Sequence, residues 1–251
     1  MDTYLNQFLC WFFKGDVELS LSGLKAVVLF SGGKDSSLAL LWALNRQLNV
    51  EALISMIPSR EDSYMFHVPN INLTELQAKA AQLPYISSSS SGLKEKEALE
   101  LEKLLEKLDV DVVVSGVISS EYQKNRIDAV CAKLGLKSLT PFWHVNETIL
   151  LLNLVNSGFD VRFSGVYALG FTHNWLGRRL DHSAIADLIL LKKRYGVSIA
   201  GEGGEYETVV LDAPFFKSRI KVVESEICWD GYRGQFLIKK AELTEKGSVE
   251  K

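Results

Sequence analysis

Cysteine is scarce in this chain of 251 residues: Cys10, Cys131 and Cys228 are odd in number and far apart. They offer no disulfide framework and no CxxC metal pair, which fits a reducing compartment. His144, His173 and His182 lack metal-ligand spacing as well. Neither sign of charge dominates, and a net charge of −3 gives no electrostatic case for non-specific nucleic-acid binding. No apolar run reaches the ~18 residues that suggest a membrane span. The most apolar early stretch, "FLCWFF" (8–13), has no basic segment before it and is followed by Lys14, Gly15 and Asp16. It is too short for a secretory signal core, so a cytoplasmic location is expected. No internal repeat is visible, and "SSSSS" (87–91) is too short to be a linker.

What is present is an ordinary globular composition, 47% hydrophobic and 24% charged, in a chain long enough for a sizeable core. Buried-strand runs at 24–30, 50–58, 84–92 and 110–119 alternate with helical patterns at 36–48, 72–83, 93–108 and 121–135. In the third helix Leu99, Leu101, Leu104, Leu105 and Leu108 are expected to face the core. Four strands alternating with four helices predict an α/β fold, a parallel sheet with helices on both faces. Beyond Pro141 the pattern changes to helices at 144–158 and 184–196 and strands at 159–169, 206–214, 218–229 and 234–245. The expected organisation is an N-terminal extension (1–23), a first domain (24–140) and a smaller C-terminal α+β lobe (141–251).

In such sheets ligands bind beyond the carboxyl ends of the strands, where the strand order reverses. "LFSGGKDSSLAL" (29–40) is one such end, and Gly116 in "VSGVIS" lies at another. Gly32 and Gly33 let backbone N–H groups turn inward, and the helix start adds unpaired donors and a positive dipole end. Ser31, Ser36 and Ser37 add hydroxyls and Lys34 adds a charge, so the stretch is a cradle for phosphate oxygens. Asp35 would repel a bare phosphate and makes sense if it holds Mg²⁺ or a nearby amide. The spacing is neither a Walker A loop nor GxGxxG.

SGGKDS resembles the pyrophosphatase loop of the N-type (PP-loop, HUP-like) ATP pyrophosphatases, which cleave ATP between the α- and β-phosphates. Ser31, Gly32, Gly33, Lys34, Asp35, Ser36 and Gly116 would then bind ATP, with Lys34 and Asp35 catalytic and Asp35 on Mg²⁺. "SYMFHVPN" (63–70), "SGVISSEYQKNRIDAVCAKLGL" (115–136), "LTPFWH" (139–144), "WLGRRLD" (175–181) and "AGEGGEYETVVLDAPFF" (200–216) narrow this further. Together they resemble the diphthine–ammonia ligase family, over residues 24 to 245.

The resemblance implies ATP-dependent amidation of diphthine on elongation factor 2 by ammonia, through an acyl-adenylate, with no membrane or nucleic acid involved. Glu205 and Glu207 would be catalytic, and His67, Glu202, Gly203, Gly204 and Tyr206 would bind the acceptor. A period-2 strand would put Glu205 and Glu207 on one face and Tyr206 on the other. The quaternary ammonium of diphthine suits carboxylates and aromatic faces, for which Tyr206, Trp143 and Trp175 are available. Lys124 and Arg126 are candidates for an ATP phosphate or plain surface charge. A glutamine-dependent enzyme needs a thiol nucleophile with a His partner or terminal amine. None of the three cysteines is so placed, so free ammonia is the expected donor. Two other functions stay open: a pyrophosphatase that adenylates a tRNA base, and a nucleotide-binding regulatory module without turnover. The sequence leaves a homo-oligomer open as well.

Overall fold

The computed structural model describes residues 21–58, 70–91 and 94–247. The first half is a five-stranded sheet, all parallel. Its strands are β1 (Lys25–Leu29), β2 (Asn49–Pro58), β3 (Tyr85–Ser90), β4 (Val112–Val114) and β5 (Lys137–Leu139), in the order β3-β2-β1-β4-β5. Alternation along β1 divides the core. Ala26 and Val28 face α1 (Lys34–Asn45) and α2 (Thr74–Ala81), with Leu38, Leu40, Ala43 and Ala78 in the same cluster. Val27 faces α3 (Lys94–Leu105) and α4 (Glu121–Leu134), packed with Leu101, Leu105, Val130 and Cys131. Helices therefore cover both faces, as the uninterrupted apolar strands require.

Three details differ from the sequence pattern. β5 is a fifth strand that the pattern does not show, because "KSL" is too short to display a period. β4 is only three residues long, since the chain leaves the sheet at Ser115 to form one wall of a cavity. Leu99 is 46% exposed on the outer side of α3, while Leu101 and Leu105 are buried. The α3 apolar stripe is narrower than the spacing of its leucines suggested.

The second half carries an antiparallel sheet of order β7-β6-β9-β8. Its strands are β6 (Asp160–Val166), β7 (Tyr206–Asp212), β8 (Ser218–Trp229) and β9 (Gly234–Glu245), flanked by α5 (Glu147–Asn156) and α6 (His182–Tyr195). Local chemistry sets the helix ends. Asn146 and Asp181 accept hydrogen bonds from the N–H groups of Ile149 (3.1 Å) and Ala184 (2.8 Å), and Ser120 caps α4. Gly135 and Gly196 close α4 and α6 in the left-handed conformation.

One apolar cluster runs through both halves, from Val28 and Leu40 to Phe163, Val209 and Tyr206. Polar contacts reinforce the join. Gln77 Nε2 donates to the carbonyls of Gly32 and Val210, each at 2.8 Å, and Val210 N–H donates to Gly32 O at 3.0 Å. Asn70 donates to Phe236 O and accepts from Ile238 N–H. β7 is thereby laid against the turn that follows β1. Among the described residues, no helix is long and apolar enough to cross a membrane.

Candidate active site

Strand order reverses between β1 and β4, and there the chain opens a cavity of about 450 Å³. Three kinds of surface line it. Ser31, Gly33, Lys34, Asp35 and Ser36 come from the turn into α1. Glu202, Gly204, Tyr206, Glu207 and Thr208 come from the second half. The floor is largely apolar, with Leu29, Ile54, Met56, Ala98, Leu101 and Ile127, and the buried Glu97 adjoins it.

The loop is tightly organised. Gly33 stands at the N-terminus of α1 and no side chain caps it. Ser31 N–H donates to Ser36 Oγ at 3.2 Å, and Ser36 Oγ donates to Gly33 O at 3.2 Å. Gly32 has φ +78°, and a Cβ there would lie 2.3 Å from Gln77 Oε1, so both conformation and space demand glycine. Gly116 is demanded by space alone: its Cβ would stand 2.5 Å from the backbone of Asp35. Gly116 thus lets the end of β4 press against the loop while lining the cavity.

Lys34 is only 4% exposed, and its Nζ meets Asp35 Oδ2 at 2.7 Å. The ammonium lies 5.1 Å from the centre of the Tyr206 ring. Burial works against the lysine charge, but Asp35, Tyr206 and Glu202 outweigh it and hold the pKa above the usual lysine value. Burial also raises the Asp35 pKa, and Lys34 pulls it back only in part.

The acidic motif separates into distinct placements. Glu202 lines the cavity and its Oε2 accepts from Ser119 N–H and Oγ, both at 3.1 Å. Burial, then repulsion from Asp35, raises its pKa. Glu207 lines the cavity too, and burial with the like charges of Asp35 and Glu202 pushes its carboxyl up to about 7. Glu205 faces elsewhere. Its two oxygens accept from Ser198 N–H (2.9 Å) and Gly203 N–H (2.8 Å), so it ties the acidic turn together. Glu147 braces that turn from α5, accepting from Ser198 Oγ and Ile199 N–H. Gly204 is part of the lining, whereas Gly203 serves as a donor within the turn.

Tyr206 is 2% exposed, with its hydroxyl donating to Ile199 O at 2.6 Å and its ring edge-on to Phe163. Trp175 is buried against Phe163 and Phe171, and Lys124 Nζ lies 5.5 Å from the Trp143 ring centre. Among the three aromatics, only Tyr206 borders the cavity. Lys124 is paired with Asp128, while Arg126 lines the cavity. His67 lies outside the described residues. Ser115, Tyr122 and Thr208 also line the cavity; they lie within the stretches 115–136 and 200–216, but the sequence does not single them out as site residues. Cys131 is buried and its thiol is pushed up to about 11 by that burial.

Residues 24–138 match the model of the diphthamide synthase N-terminal domain, and residues 146–244 that of the diphthamide synthase C-terminal domain. The Homo sapiens protein named diphthine–ammonia ligase is 33% identical over 227 residues, covering 81% of this chain and 85% of that protein. The Schizosaccharomyces pombe protein of the same name is 33% identical over 224 residues, and there the matched part is 37% of its length. A solved structure described as a predicted subunit of a tRNA methyltransferase from Methanocaldococcus jannaschii aligns over 76% of this chain, with 18% identity and a TM-score of 0.43. That last likeness is too distant to bear on function. Matches over both halves, with relatives of one name, show that this chain belongs to the diphthamide synthase family.

Proposed function

We propose that this chain is an ATP-dependent ligase that amidates diphthine on elongation factor 2 with ammonia, through an acyl-adenylate. One observation carries the reading: a loop suited to phosphate and a pair of half-buried carboxylates, Glu202 and Glu207, open into the same cavity. The relatives' name supports it, since diphthine–ammonia ligase describes that reaction.

In this reading the loop and Lys34 grip the terminal phosphates, and the apolar floor takes the base. A carboxylate oxygen of diphthine attacks the α-phosphorus, the bond to the bridging oxygen breaks, and pyrophosphate leaves. Lys34 faces the charge that develops on the leaving group. Ammonia nitrogen then attacks the acyl carbon and AMP leaves with the electron pair. The nitrogen sheds a proton, and Glu207 is suited to accept it because its pKa lies near neutrality. Glu202 and the ionised fraction of Glu207 face the fixed positive charge of diphthine.

Mg²⁺ fits the residues in one way. Among the described residues no group of three or more His, Cys, Asp or Glu could hold a metal by itself. Mg²⁺ is commonly held by one or two carboxylates together with substrate phosphates, and Asp35 is the loop's carboxylate. Bound there, it would neutralise charge on the departing pyrophosphate. Free ammonia as the nitrogen source is consistent with Cys131, whose buried thiol is ill-suited to attack glutamine.

The test is pyrophosphate release by the purified protein with ATP, with and without ammonium and diphthine-bearing elongation factor 2. Release that needs the modified factor, and amide formation that needs ammonium, are expected. Amidation supported by glutamine alone, or release indifferent to the factor, would refute the reading.

A further inference from the structure

Two polar atoms in the cavity wall, Arg126 Nη1 and Ser115 Oγ, make no hydrogen bond. Arg126, from the second turn of α4, places Nη1 where no solvent reaches it, and that nitrogen makes no hydrogen bond. Its guanidinium lies 3.7 Å from the centre of the Tyr122 ring, which fixes its plane. Ser115, at the end of β4, is 2% exposed and its Oγ is also without a partner. Both line the cavity at the β1–β4 switch point. A solvent-shielded guanidinium nitrogen and a buried hydroxyl without hydrogen bonds are costly, and native proteins rarely keep them without a function.

Position narrows what would satisfy the pair. Ser115 adjoins Gly116, which is in contact with the Asp35 and Ser36 backbone, so it stands beside the phosphate loop. Arg126 and Tyr122 also line a neighbouring groove with Ala98, on the side of the apolar floor. The two donors therefore lie between the place for terminal phosphates and the place for a base. We infer that Arg126 and Ser115 bind the α-phosphate of the nucleotide, the phosphate that stays with AMP when pyrophosphate departs. The planar guanidinium, held against Tyr122, suits phosphate oxygens better than a flexible ammonium does. Lys124, two positions earlier on the same helix, is turned toward Asp128 and takes no part.

This inference rests on the ATP reading above, and the experiment separates the two. Calorimetric titration of the full chain with AMP alone and with inorganic pyrophosphate alone, magnesium present, is run on wild type, Arg126→Gln and Ser115→Ala. Arg126→Gln is expected to weaken AMP about ten- to a hundredfold and leave pyrophosphate within about twofold. Ser115→Ala, which removes only a hydroxyl, is expected to weaken AMP alone by a smaller factor. Retained pyrophosphate binding shows that the loop is intact in the variants. If wild type binds both ligands but neither variant loses AMP selectively, the assignment of Arg126 and Ser115 falls and the ATP reading stands. If wild type binds neither ligand, both fall.

Discussion

The backbone N–H of Lys34 donates to Thr208 Oγ1 at 3.1 Å, across 174 positions of sequence. The first peptide unit of α1, at the heart of the phosphate loop, is thus held by a side chain of β7. Thr208 is buried, and the two residues before it, Tyr206 and Glu207, both line the cavity. One strand therefore sets the loop and brings the carboxylate to it.

Thr208→Val keeps the shape and removes the acceptor. It should lower stability by about 1 to 2 kcal/mol, the cost of leaving the Lys34 N–H unsatisfied. It should also raise the KM for ATP. Chemical denaturation and steady-state kinetics on one preparation check both, and an unchanged KM would mean that the loop keeps its shape without β7.

Glu207 gives a pH signature. Its pKa rises from 4.5 in the unfolded chain to about 7 in the fold, so between those values the folded state holds the extra proton. Stability then falls as pH rises through this window, by roughly 3 kcal/mol in all, an order-of-magnitude figure. Glu207→Gln removes the penalty. Its melting temperature should exceed wild type at about pH 8, and the gap should close toward pH 4.5, while amidation is lost. Parallel melting curves across that range decide it.

Glu205→Gln should act through the turn. The amide keeps one acceptor but sets an NH₂ group against a backbone N–H, of Ser198 or Gly203. A stability loss of about 1 to 3 kcal/mol is expected. Acceptor use should fall together with loosening of the 198–205 turn, seen as faster amide hydrogen exchange at Ser198 and Gly203. Lost acceptor use with unchanged exchange would instead place Glu205 on the substrate.

Gly116→Ala forces a methyl group to within 2.5 Å of the Asp35 backbone. Either β4 or the loop must shift. ATP affinity is expected to drop about tenfold or more, with a stability cost of about 1 to 3 kcal/mol. Retained ATP affinity would show that the loop tolerates displacement.

The alternation of apolar runs and helical patterns announced the parallel sheet, because strand and helix periods are local properties of a few successive residues. The strand–turn–helix of the glycine-rich loop was legible for the same reason. Two glycines, a lysine and serines between a buried strand and a helix form their turn from neighbours in sequence, and Gly33 stands at the N-cap of α1. β5 was not legible, since three residues carry no period.

The acidic motif marks where local reading stops. Alternation would pair Glu205 with Glu207, but β7 begins at Tyr206, so Glu205 belongs to the preceding turn and spends its oxygens there. Likewise Lys124 and Arg126 share a helix, and only the packing of α4 beside α3 turns one to Asp128 and the other into the cavity. The sequence by itself determined the turn of the loop and the layers of the first sheet, because short-range geometry suffices for both. Tertiary structure decided which distant side chains share the cavity with that loop, Thr208, Glu202, Glu207 and Arg126. That choice depends on strand register and helix rotation, which are fixed by burial across the whole core and not by neighbours along the chain.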